Sequence, residues 1–274
     1  MKVVILLMED LALEIAEMKI LAECMCKLTD VKVDWLIIGF PGISVVGSIV
    51  AKHIISELNM KTVGYVRSPL IPPVAVFFDG ILSYPYRIAY SKDLKLAVFV
   101  GEAPTPYQAY YHIANAVLDW ADNVGAKEVV VTDGLLSERG TGPLGFIPDP
   151  NVFLVAEPDM KEKIAKINEK LPMAPMGYIG SLCGAILNEA IIRPIDGWGL
   201  LVETIGKYPD PLAASKAIQT LNDLKSLDID VSRLEAESNQ IKEKLKDLMS
   251  KQMQIQAQEP TSTTSLPQTS GLYS

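Results

Sequence analysis

Four short apolar runs constrain this chain more than any other feature. They are "WLIIGF" from Trp35, "LKLAVFVGE" from Leu94, "EVVVTDG" from Glu128 and "GLLVET" from Gly199. Runs of this length, rich in Val, Ile and Leu and without polar alternation, are what strands covered on both faces require. Both faces are covered when helices connect parallel strands. The intervening sequence supplies those helices. "PGISVVG" turns the chain into a helix that runs to about residue 58, and residues 106–124 have helical spacing and stop at Gly125, a natural C-terminal cap. Further helices are expected over 159–171 and 181–191. "TVGYVRS" is another strand, and "YRIAYS" pairs with the Leu94 run around a turn at residues 91–93. The pattern predicts an α/β fold of three αβα layers around a mostly parallel sheet, followed by a C-terminal helical extension.

Four segments follow from this reading. Residues 1–32 form an N-terminal extension in which 11–27 has the spacing of a helix, and residues 33–226 form the α/β domain. After a break at "SLDID", where Asp230 or Ser232 can cap a new helix, residues 227–255 carry an apolar stripe. Val231, Leu234, Ile241, Leu245 and Leu248 lie in one heptad-like register, with Ser238 in one core slot. A stripe of this kind serves either a coiled coil between subunits or an amphipathic helix lying on its own domain. Residues 256–274 begin with "QAQEPTSTTSLPQTSG", whose Gln, Thr, Ser and Pro bury too little apolar surface to offset the entropy of ordering. As a flexible coil such a linker spans about 20–25 Å.

The net charge of −8 and the lack of a basic patch argue against a nucleic-acid surface. No stretch reaches the length of a membrane span, and the N-terminus lacks a signal-peptide cleavage site, so a cytoplasmic protein is expected. Cys24, Cys26 and Cys183 suit small hydrophobes in a reducing compartment better than a metal cage, and no metal or cofactor is expected.

Few residues invite catalysis. Gly39, Pro41, Gly42 and Gly47 shape a strand-to-helix loop that matches neither a dinucleotide fingerprint nor a phosphate loop, so its glycines read as structural. Glu102 and Asp133 lie at the carboxyl end of the sheet, where a general acid–base pair would sit. The polar loop 134–145, with Ser137, Glu138 and Arg139, shares that edge. His53 and His112 belong to no triad or metal motif. Cys183, at a helix start, reads as close packing rather than as a thiolate.

"WLIIGFPGISVVGSIVAKHIISEL", "VVVTDGL", "GYIGSLCGAILNEA", "LLVETIGKYPDPLAASKAIQTL" and "LDIDVSRLEAES" together resemble the archaeal branch of the proteasome assembly chaperone family, over about residues 33–250. The resemblance implies a nucleoside-phosphorylase-like fold without the phosphorylase active-site residues. It also implies a homo-oligomeric, non-enzymatic chaperone of four or five subunits, four being favoured. Proteasome activators end in a hydrophobic residue, tyrosine and any last residue, and Leu272-Tyr273-Ser274 fits that pattern. In such proteins the motif enters pockets between α subunits of the 20S core particle. There the terminal carboxylate meets a lysine, and the tyrosine brings a rigid ring with few rotors to freeze.

Overall fold

The computed structural model describes residues 23–26, 31–141 and 144–258. The chain divides into two compact units, Met1–Ser238 and Asn239–Ser274. In chain order the elements are β1 (Glu23–Cys26), β2 (Trp35–Gly39), α1 (Val46–Glu57), β3 (Lys61–Arg67), β4 (Val76–Phe78), β5 (Ile81–Ser83) and β6 (Tyr86–Ser91). They continue with β7 (Leu96–Gly101), α2 (Tyr110–Asn123), β8 (Glu128–Leu136), β9 (Val152–Ala156), α3 (Pro158–Ile167) and α4 (Leu182–Ile191). The last are β10 (Asp196–Thr204), α5 (Pro211–Lys225) and α6 (Ser232–Gln258).

The four apolar runs are β2, β7, β8 and β10. Together they form the parallel centre of an eight-stranded sheet ordered β1-β3-β6-β7-β2-β8-β10-β9. Outside that centre the pairing is antiparallel: β6 on β7, β3 on β6 and β1 on β3 at one flank, and β9 on β10 at the other. The centre is buried on both faces, as the unbroken apolar runs require. Alternate residues feed two cores. Leu36, Ile38, Phe99, Val129 and Val131 pack beneath α2 and α4. Ile37, Val98, Val100, Val130 and Trp198 pack beneath α1, α3 and α5. Three layers result, as expected.

Three local expectations differ. Residues 23–26, read as the end of a helix over 11–27, are a strand whose Cys24 stands opposite Val66. The open edge of β3 needs a partner, and that tertiary pairing overrides the local helical spacing. The rest of that segment lies outside the described residues. Strand β9 occupies a stretch to which the sequence reading assigned no element. Helix α6 runs to Gln258, three residues into the stretch read as linker.

Helix α1 packs unusually close to the sheet. A Cβ on Gly39 would lie 2.0 Å from the Gly47 carbonyl oxygen, and one on Gly47 would lie 2.3 Å from that of Thr132. No side chain fits at either point.

Candidate functional site

The carboxyl edge of the parallel strands carries the acidic residues and the loop between β2 and α1. Ser44 and Val45 in that loop adopt left-handed backbone, with φ of +52° and +48°. A β-branched residue rarely does so, and the surroundings must hold it there. The carbonyl oxygen of Ser44 accepts from Asp210 N at 3.2 Å, and Ser44 Oγ lies 2.9 Å from Thr204 Oγ1. Asp133 holds the other side. Its Oδ1 accepts from Ile43 N at 3.2 Å and from Gly134 N at 2.8 Å, and its Oδ2 accepts from Ser181 Oγ at 3.2 Å. Burial pushes the Asp133 carboxyl above its ordinary value, against the opposing pull of these three donors.

Glu102 follows β7 on the same edge but has its own partners, Lys52 Nζ at 2.9 Å and the Arg87 guanidinium. Burial works against its charge, and the two cations outweigh burial, holding the carboxyl below its usual range. Glu203 is likewise engaged. It accepts from Ser137 Oγ and Asn151 N at 3.0 Å each and pairs with Arg139. Ser137 and Arg139 of the polar loop therefore anchor that loop to β10. Glu102 and Asp133, the proposed acid–base pair, share none of these partners, and each is occupied by structural bonds.

The remaining candidates find packing roles. Cys183 is buried behind its N-cap Ser181, and burial, with the Asp133 charge secondary, drives its thiol far up. His53 is buried; its Nε2 donates to the Asp230 carbonyl oxygen at 2.6 Å, and its Nδ1 faces Arg233 at 3.4 Å. It ties α1 to the start of α6. His112 is half-buried on α2. Among the described residues, no cluster of His, Cys, Asp and Glu could hold a metal ion.

Along the α6 stripe the fates of the apolar residues diverge. Leu234, 2% exposed, is buried in the core beneath α1, α3 and α5, and Val231 packs against the same cluster. Both serve the parent domain, which the amphipathic reading of the stripe allowed for. Ile241 and Leu245 are half-buried, and Leu248 is 61% exposed.

Two exposed apolar features escaped the sequence reading. The first is the hairpin β4–β5, in which Phe77 faces Leu82 and Phe78 faces Ile81 across the two strands. All four are between 71% and 76% exposed. The Asp79-Gly80 turn has φ of +48° and +77°, the mirror-image turn that two-residue hairpins favour. An Asp-Gly pair between apolar runs was the available signal in "VFFDGIL". The second is a cleft of about 1050 Å³ between α4, β9, β10 and the 174–179 segment, rimmed by Leu136, Met176, Tyr178, Leu187 and Ile191. No local sequence signal marks it, because its walls come from five separate segments.

The PAC2 family model matches residues 36–249, most of the chain. This protein belongs to the PAC2 family. Among solved structures it is similar to Pyrococcus furiosus PbaA, an archaeal homolog of proteasome-assembly chaperone. The two are 25% identical with a TM-score of 0.74, over 86% of this chain and 95% of that one. A Thermoplasma acidophilum protein of unknown function is 31% identical with a TM-score of 0.66, covering 82% and 92%. Pyrococcus furiosus PbaB, an archaeal proteasome activator, shares the fold at 21% identity and a TM-score of 0.74, covering 84% and 99%. The PAC2 match ends inside α6. Leu272, Tyr273 and Ser274 lie beyond it and outside the described residues. No helix of the described residues is long and apolar enough to cross a membrane.

Proposed function

We propose that this PAC2 chain is a homo-oligomeric, ATP-independent partner of the 20S proteasome core particle, acting as an assembly chaperone or a gate-opening activator. On this reading it docks Leu272-Tyr273-Ser274 between α subunits of the ring. One observation carries it: a hydrophobic–Tyr–X end on a chain of this family. The similarity to PbaA supports a proteasome partner. The engagement of Glu102, Asp133 and Glu203 in structural bonds supports a binding role over a phosphorylase-like or hydrolytic one.

The contact requires a free carboxylate on Ser274. That charge meets a cationic pocket while Tyr273 buries a rigid ring and Leu272 adds apolar burial of about 1.5–3 kcal/mol. One such tail binds weakly, because ordering the linker and docking both cost free energy. Several tails on one oligomer raise the effective concentration at the ring. On this reading Ile241, Leu245 and Leu248 of α6 gather the subunits, four being the favoured number.

Purified protein mixed with core particle, followed by size separation and a peptide-cleavage assay, tests the proposal. Co-elution with faster cleavage identifies an activator, and co-elution with unchanged cleavage an assembly factor. Failure to co-elute rejects the proposal.

A further inference from the structure

We infer that the β4–β5 hairpin of one copy seats in the apolar cleft beside α4 of the next, so that copies join head to tail. This rests on the reading of the chain as a homo-oligomer and adds to the α6 contact a second pair of surfaces, on the α/β domain. Among the described residues, the hairpin's own subunit leaves its apolar side chains largely uncovered. Successive strand residues point to opposite faces, and here both faces, Phe77 with Leu82 and Phe78 with Ile81, are exposed. A two-stranded hairpin alone in water is marginally stable, so this one needs a covering surface.

Area favours a protein partner. Two phenylalanines, a leucine and an isoleucine, each more than 70% exposed, present on the order of 500 Å². Monomers rarely leave a contiguous apolar patch above a few hundred Å². A standard interface takes about 800 Å² from each partner, so the four side chains supply more than half of one side. Val74 and Tyr84, also exposed, flank the hairpin and extend the patch.

The cleft is the matching concavity. Its volume, about 1050 Å³, is at the upper end of the range of about 300–1,000 Å³ for small-ligand pockets, room enough for the apolar side chains of a hairpin tip. Its rim is itself apolar and exposed, with Met176 at 95% and Tyr178 at 96%. A second hairpin, also convex, would leave the cleft open and cover less area. The knob rises between β3 and β6, and the cleft opens at β8, β10 and β9, so the two occupy opposite flanks of the sheet. Different patches meeting in this way form a heterologous contact, which repeats until a ring closes. Pro72, Pro73 and Pro85 beside the hairpin stiffen its stalk and reduce the entropy lost on seating.

The test uses two full-length variants in which Cys24 and Cys26 are serine. One carries Ile81→Cys and the other Tyr178→Cys, both at exposed positions that leave the core intact. Co-expressed under mild oxidation, they are expected to give a disulfide-linked heterodimer, with at least tenfold less linked dimer from either variant alone. A link between two Ile81→Cys chains would overturn the proposal in favour of hairpin-on-hairpin packing. No link in the mixture, while light scattering shows an oligomer, would also overturn it and leave the homo-oligomer reading standing. A monomeric wild type would remove both.

Discussion

Gly42 leaves no room for a side chain in front of Asp133: a Cβ there would fall 2.1 Å from Oδ1. The carboxylate is closed in by the backbone it holds, which is the arrangement of a structural clamp.

That contact makes Gly42→Ala a disruptive change. The added methyl must push Asp133 away from Ile43 N and Gly134 N, at a cost of about 1–3 kcal/mol for overpacking plus the strained bonds. The expected result is a clear fall in Tm in thermal melts, with Gly177→Ala compared as a position where an added Cβ meets nothing within 4 Å.

The raised pKa of Asp133 has a definite sign. An acid whose folded value exceeds its unfolded value of 3.8 binds more protons when folded, so its contribution to stability falls as pH rises through that interval. Asp133→Asn does not titrate and keeps an oxygen for the backbone donors. The Tm of Asp133→Asn minus that of wild type should therefore be more positive at pH 8 than at pH 4, in paired melts.

Glu102 behaves in the opposite way. Its lowered carboxyl contributes stability above its ordinary value of 4.5, and the contribution is lost as pH falls through the folded value. Glu102→Ala also strands Arg87, which is largely buried beside it. The expected loss is about 3 kcal/mol at neutral pH, the lower end of the range for breaking a buried pair. Urea unfolding at pH 7 and pH 4 measures it, and the variant should lose less than wild type on acidification.

The legible parts of this fold were those written locally. The β2, β7, β8 and β10 runs announced the parallel centre, and Gly125 announced the end of α2, where its φ is +79°. Edge strands were harder to read. Glu23–Cys26 is a strand because β3 offers an open edge, which is a tertiary reason. The acids at the carboxyl edge were placed correctly, but their partners were not readable. Arg87 with Glu102 and Arg139 with Glu203 are separated by 15 and 64 residues, and no spacing rule joins them. The hairpin carried its Asp-Gly signal in plain view. Its exposure on both faces was not legible, because strand period separates faces without saying which one is covered.

On α6, burial separates two roles. Leu234→Ala should cost about 2–5 kcal/mol of domain stability, as for a filled core position. Leu245→Asp with Leu248→Asp should leave Tm within about 0.5 kcal/mol equivalents of wild type, as surface changes do, yet reduce the oligomer mass. Melting curves together with light scattering separate these outcomes. Unchanged mass in the double variant would remove α6 from assembly.

At the tail, Tyr273→Ala should lose most core-particle binding, and removal of residues 272–274 should abolish it, with the oligomer unaltered. Appending a few residues after Ser274 moves the carboxylate and should weaken binding as strongly as Tyr273→Ala. Surface plasmon resonance on immobilised core particle reads all three. An extended tail that binds like wild type would remove the carboxylate from the contact.

Neither core layer contains a residue of the β4–β5 hairpin. Mutation can therefore rewrite those eight positions without endangering the rest of the molecule. Two gene copies of such a chain in one cell could drift apart there first, each learning to ignore the other while keeping an unchanged body.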